Sequence, residues 1–237
     1  MRELIVVFVT LGVATVAAPA IGSPRLDLPT TVPVPERAAY ERLASTADVA
    51  TRVEAEPFIV RAEVFEYLLD HPAFATHVAR TLRLARFRIW NTPQGMVLDD
   101  GRGLTGQFRI VYAATGTRLF HASGEYNKAL LPTIQGQALT MIEYDTSPAP
   151  KGRVLVKPAV SGFVRLDNRM VAFGFRALRA AAQRKAELES HRLMKIFARA
   201  SRVLDESPEA VLELLRQQPG VPTRELEEFG RLLLNGR

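Results

Sequence analysis

Residues 107–126, QFRIVYAATGTRLFHASGEY, decide the fold class of this chain. Phe108, Ile110 and Tyr112 recur at every second position before a short glycine-containing turn, over 114–117. A second strand-like run follows the turn directly. A period of two on both sides of a short turn predicts an antiparallel hairpin, and hence a sheet built from neighbouring strands.

The strand pattern continues on both sides of this hairpin. It begins at Phe87 and resumes after the hairpin over 137–144 and 153–166, with proline and glycine between the strands. Two glycines inside strands, Gly124 and Gly162, are typical of bulges or strong bending. The sheet is therefore predicted to be antiparallel and curved.

Helical patterns lie on either side of the predicted sheet. A short strand over 53–60, interrupted by Pro57, is expected between the first two helices. The segment 169–204 contains no proline and carries one apolar stripe, which predicts a long helix. The other helices are predicted to open at Glu36, to cover 62–69, to begin again at Pro72, and to end the chain as two short tail helices over 208–217 and 224–234.

This order of elements resembles the helix-grip fold of the START-like or SRPBCC superfamily. The segment 58–84, with FEYLLDHP at 65–72, is similar to the first strand and small helices of that family, and 169–204 to its long helix. The resemblance implies an α+β fold in which a curved antiparallel sheet grips a long C-terminal helix. A small helical tail follows. It also implies a hydrophobic cavity between helix and sheet, used by carriers and by some cyclases.

The resemblance implies which side chains line such a cavity. It carries over no catalytic residue, because the superfamily has no invariant functional residues. An ordinary filled core is the alternative, because apolar periodicity predicts burial and not an empty space. The ligand-binding candidates are Phe108, Ile110, Tyr112 and His121 from the sheet, with Phe175, Leu178 and Leu193 from the long helix.

The N-terminal segment has the layout of a secretory signal. Arg2 precedes a nearly continuous apolar run, and the small residues at 18–20 follow it. We expect export to the periplasm, or anchoring in the inner membrane if the segment is not cleaved. The predicted organisation is a signal peptide or anchor over 1–22, a proline-rich linker over 23–36, a helix-grip-like domain over 37–204 and a C-terminal helical hairpin over 205–237.

The formal net charge is +6, and the positive charge is concentrated in 151–202. For an exported protein, anionic lipid headgroups are a more natural partner for such a surface than nucleic acid. A solvated helix face that only keeps the protein in solution is the alternative. The candidates for contact with a membrane surface are Arg176, Arg179, Arg184 and Lys185.

Recognisable catalytic motifs are missing from the sequence. Cysteine is absent, which excludes thiolate nucleophiles and disulfides. The GRGLTG segment at 101–106 has dinucleotide-binding spacing but precedes a strand, so it predicts a turn. The histidines lack the spacing of a zinc pair, and Glu143 with Asp145 is interpreted as a solvated strand edge. No metal or other cofactor is expected.

The sequence therefore favours an exported envelope protein that binds or carries an apolar or amphipathic, lipid-like ligand near an anionic membrane. Two alternatives stay open. One is a protein-interaction module with a filled core. The other is a cyclase-like or hydrolase-like enzyme on the same scaffold, acting through Glu143 or His121.

Overall fold

The computed structural model describes most of the chain and shows an α+β fold. Predictions for the signal segment fall outside the described residues, as do Phe175, Arg176 and Leu178 and the side chain of Arg179. The described residues are 26, 28, 30–127, 133–167 and 179–234.

Within these residues there are six helices and one eight-stranded sheet. The helices are α1 (Val34–Ser45), α2 (Ala62–Asp70), α3 (Pro72–Thr81), α4 (Arg179–Glu206), α5 (Pro208–Arg216) and α6 (Thr223–Leu234). The strands are β1 (Val49–Glu54), β2 (Phe58–Val60), β3 (Arg88–Thr92), β4 (Gly95–Asp99), β5 (Leu104–Ala114), β6 (Thr117–Tyr126), β7 (Ile134–Ala149) and β8 (Arg153–Leu166).

The sheet is antiparallel throughout, with the strand order β1-β8-β7-β6-β5-β4-β3. The first strand therefore pairs with the last, and α4 crosses the face of the sheet that also carries α2 and α3. This arrangement of a curved sheet and a long helix is compatible with a helix-grip fold. None of the helices in the described part of the chain is long and apolar enough to cross a membrane.

The structure adds two details to the predicted strands. The expected strand over 53–60 is two strands, β1 and β2, separated where Pro57 cannot donate to a ladder. Both pair with β8. The register is unbroken at Gly124 and Gly162, and the irregularity in the β5–β6 ladder lies instead between Ile110 and Tyr112.

The sheet is covered on both faces. Its inner face packs against α2 and α4, and its outer face against α1, which places Tyr40 and Leu43 on the sheet. The outer core also contains Leu119, Leu139 and Phe163, none of which has any exposed surface. Because both faces are buried, apolar residues occur on both sides of the central strands.

The tail helices fold back on the small helices. Leu212, Leu215 and Phe229 share one apolar cluster with Phe74 of α3 and Leu204 of α4. This cluster joins α5 and α6 to α2, α3 and α4. The two tail helices predicted from the sequence are thus present, and they extend the core of the main body.

Candidate functional site

A cavity lies between the inner face of the sheet and α4, with α2 and α3 at its side. Its volume is about 270 Å³. The α4 side is formed by Leu193, Ile196, Phe197 and Ala200. Further apolar walls come from Leu68, Leu69, Val78, Phe87, Ile89 and Leu98.

On the sheet side, part of the cavity is formed by residues with almost no side chain, beside larger residues such as Phe108, Phe120 and Ile142. Gly106, Gly124 and Gly136 lie in one cross-strand row over β5, β6 and β7. Ala122 and Ala138 occupy the next row. At these positions the sheet contributes at most a methyl group to the space under α4, and a hollow remains there. We call these five residues the small-residue floor.

The few polar side chains at the cavity differ in how they are satisfied. The Thr76 hydroxyl lies 2.8 Å from the Ala73 carbonyl oxygen, to which it donates, and the Ser190 hydroxyl donates to a backbone carbonyl of its own helix. Glu189 is the one ionisable side chain among the described lining residues, and it accepts from Arg192 at 2.9 Å. Thr51 has no such partner.

The structure brings only some of the sequence-predicted residues to this cavity. Phe108 and Leu193 line it. Ile110 lies on the same face of the sheet and packs into the inner core, outside the lining. Phe108 stacks on Phe120, with ring centroids 5.6 Å apart.

Tyr112 and His121 lie on the outer face of the sheet, away from the cavity. Tyr112 follows the irregularity after Ile110 and pairs with Leu119, so its side chain is on the outer side. The His121 ring lies 5.6 Å from the ring of Tyr40 in α1. Burial lowers the pKa of His121, and nearby Arg109 lowers it further, while a hydrogen bond to Gln137 opposes both effects.

The basic candidates on α4 also separate. Arg184 is exposed, whereas Lys185 is half-buried. Burial lowers the pKa of the Lys185 ammonium group, against the opposing charges of Glu189 and Asp100. Further along the same helix, three more cations are exposed, namely Lys195, Arg199 and Arg202. We call these three residues and Arg184 the α4 cations.

The remaining motifs have structural roles. The 101–106 segment contains the predicted turn, over 101–103 between β4 and β5, and the first three residues of β5; Asp100 accepts from the backbone N–H groups of Arg102 and Leu104. Glu143 is paired with Arg52 on the outer face. In the described part of the chain, no cluster of histidine and acidic residues could hold a metal ion.

An ionic network around the buried Arg118 connects α2 to the β5–β6 hairpin. The Arg118 guanidinium contacts the carboxylates of Glu66 and Asp70, and the Tyr144 hydroxyl donates to Glu66. Burial and the hydrogen bond to Glu66 raise the pKa of Tyr144, which holds this hydroxyl neutral. Since each charge has an opposite partner, the network is a structural connection rather than a reactive site.

Comparisons with known proteins assign no relative. No protein-family model matches the chain, and no curated protein matches it. The cavity is therefore the feature from which a function can be inferred. The strongest sequence signal for the cavity lies in residues that apolar periodicity does not reveal. Glycine and alanine occupy the inward positions of three neighbouring strands, at 106, 122, 124, 136 and 138.

Proposed function

We propose that this protein binds an apolar or amphipathic small molecule in the cavity between the sheet and α4. The single observation that carries the proposal is a cavity of about 270 Å³ with a nearly apolar lining. Protein interiors are close-packed, and voids much larger than a water molecule are few. A void of this size is therefore a feature that needs an occupant.

The volume indicates how large an occupant the cavity can hold. An apolar cavity of roughly 150 Å³ stays dry and binds benzene. The present cavity is larger, so it has room for a molecule bigger than one aromatic ring. Each methylene group that leaves water contributes about 0.8 kcal/mol to binding. A ligand with about ten carbon atoms would suit a cavity of this volume.

The helix-grip resemblance supports the same conclusion. We infer that the chain is a member of the START-like or SRPBCC superfamily, in which a cavity between helix and sheet holds hydrophobic ligands. The cavity weighs against an interaction module with a filled core. The positions of Glu143 and His121 on the outer face weigh against the enzyme that we considered, because neither reaches the cavity.

We place this activity at an anionic membrane surface of the cell envelope, after export. The α4 cations support this placement, because they project from the helix that covers the cavity. Leu188, on the same helix, is 55% exposed and offers an apolar contact among the positive charges. A carrier held in this way would have its cavity close to a source of apolar ligand.

The experiment is a calorimetric titration of the full chain with butylbenzene. Ala138→Leu places a larger side chain on the small-residue floor and should weaken binding by at least about ten-fold. Gln135→Leu is the matched control, because Gln135 lies on the same strand but is exposed. Binding to the wild type and the control but not to Ala138→Leu supports the proposal. Equal binding by all three proteins would contradict it.

A further inference from the structure

Thr51 is a buried polar group that the fold leaves without a partner. Only 2% of the residue is exposed, and it lines the cavity. Three buried side-chain oxygens in the described part of the chain lack a hydrogen bond, namely Thr51 Oγ1, Asp100 Oδ2 and Ser201 Oγ. Of these residues, only Thr51 belongs to the lining.

The residues opposite Thr51 in the sheet define the surroundings of its hydroxyl. Thr51 lies opposite Gly162 in the β1–β8 ladder, and Gly162 lies opposite Thr140 in the β7–β8 ladder. A methyl group on Gly162 would lie 3.2 Å from Thr51 Oγ1. Because glycine has no such group, the hydroxyl stands beside bare backbone at the edge of the cavity. Rotation about χ1 moves the Thr51 hydroxyl to another staggered position, so the hydroxyl can turn toward a bound molecule.

Three of the other polar side chains that line the cavity are already used. Thr76 and Ser190 bond to backbone carbonyls, and Glu189 is paired with Arg192. A buried hydroxyl without a partner costs free energy that a ligand oxygen could recover. A carboxylate ligand would instead bring a second negative charge into the cavity that Glu189 lines.

We propose that Thr51 is the polar anchor of the cavity, and that the ligand is a neutral amphiphile with a hydroxyl or carbonyl oxygen. This inference rests on the proposed function, since it names the class of molecule that the same cavity takes. The ligand's apolar part would lie over the small-residue floor. Its oxygen would form a hydrogen bond with the Thr51 hydroxyl.

Three probes with one carbon skeleton test the anchor: butylbenzene, phenylbutanol and phenylbutyrate. Each is titrated into the full chain and into Thr51→Val, which keeps the shape of the side chain but removes the hydroxyl. We expect Thr51→Val to weaken phenylbutanol binding by roughly ten-fold and to leave butylbenzene binding unchanged. We expect phenylbutyrate to be the weakest ligand of the wild type.

Thr76→Val is the control, because it removes a hydroxyl of the same cavity that the protein itself satisfies. Its ratio of phenylbutanol to butylbenzene affinity should equal that of the wild type. The anchor is disproved if Thr51→Val changes both affinities equally or changes neither. If no probe binds the wild type, the proposed function itself fails, which is a different result from the loss of selectivity alone.

Discussion

Gly106 and Gly124 lie opposite each other in β5 and β6, and a methyl group on Gly124 would lie 2.6 Å from the Gly106 Cα atom. The neighbouring atom belongs to the backbone and cannot move without distorting the ladder. Gly124→Ala should therefore lower the free energy of unfolding by about 1–3 kcal/mol. Urea denaturation measures the change.

Gly162→Ala is the matched comparison for this substitution. Gly162 also lies inside a strand, but the nearest atom to an added methyl is the Thr51 hydroxyl oxygen, which can rotate away. We expect its stability to stay within about 1 kcal/mol of the wild type. Equal losses in the two variants would mean that close approach of the backbones is not what requires glycine at position 124.

A second prediction concerns the attachment of the tail. Arg61 is buried, lies 3.2 Å from Asp205 of α4, and donates to the Leu233 carbonyl oxygen at the end of α6. Arg61→Ala leaves that carbonyl without this donor and removes one partner of the carboxylate. The free energy of unfolding should fall by about 3 kcal/mol, measured by urea denaturation.

The exposed pair of Arg216 and Glu213 provides the control for Arg61. Exposed ion pairs contribute little, so Arg216→Ala should change stability by less than about 0.5 kcal/mol. If Arg61→Ala were equally mild, the tail would not depend on this buried contact.

The histidines predict a dependence of stability on pH. Burial lowers the pKa of both His121 and His77 below the ordinary value of 6.5. Around this pH the folded state therefore binds fewer protons than the unfolded state. The stabilisation from the two neutral histidines is complete above the ordinary pKa and is lost as the pH falls below it. His121→Gln should reduce the loss of stability between about pH 7 and pH 5. Urea denaturation at both pH values measures it.

His121 and His77 should contribute independently to the pH dependence of stability. The double variant of His121 and His77 should show a smaller pH dependence than either single variant, because the residues lie on different elements. An unchanged slope in the double variant would show that other groups determine stability in this range.

A fourth prediction concerns the membrane surface. Replacing all four α4 cations with serine should weaken binding to phosphatidylserine vesicles by about a hundred-fold at low salt. Sedimentation with the vesicles measures the bound fraction. An equal charge change made elsewhere serves as control, with serine in place of the exposed Arg42, Arg80, Arg83 and Arg231. Equal losses in the two variants would indicate attraction by net charge alone, without an oriented surface.

Local sequence signals were sufficient for most elements of the fold. The alternation around Phe108 and the turn after it predicted the β5–β6 hairpin, and Pro72 marked the start of α3. Ser207 and Pro208 likewise indicated the start of the first tail helix. Each of these signals acts over a few residues, so it does not depend on the rest of the chain.

The site depended on relationships that local patterns do not contain. Gly106, Gly124 and Gly136 form a row only through the register of three strands. Tyr112 was assigned to the inner face because the irregularity after Ile110 has no clear sequence mark. The face of the sheet on which His121 lies could not be predicted either. Because α1 packs on the outer face, both sides of β6 carry apolar residues.

The most direct test of the central claim is native mass spectrometry of the full chain purified gently from its own host. The wild type is expected to carry one hydrophobic molecule per chain, released on denaturation, whereas Ala138→Leu purified in the same way carries none. An unliganded mass for both proteins, with no uptake by the wild type from the host's lipid extract, would contradict the claim that the cavity is a ligand site.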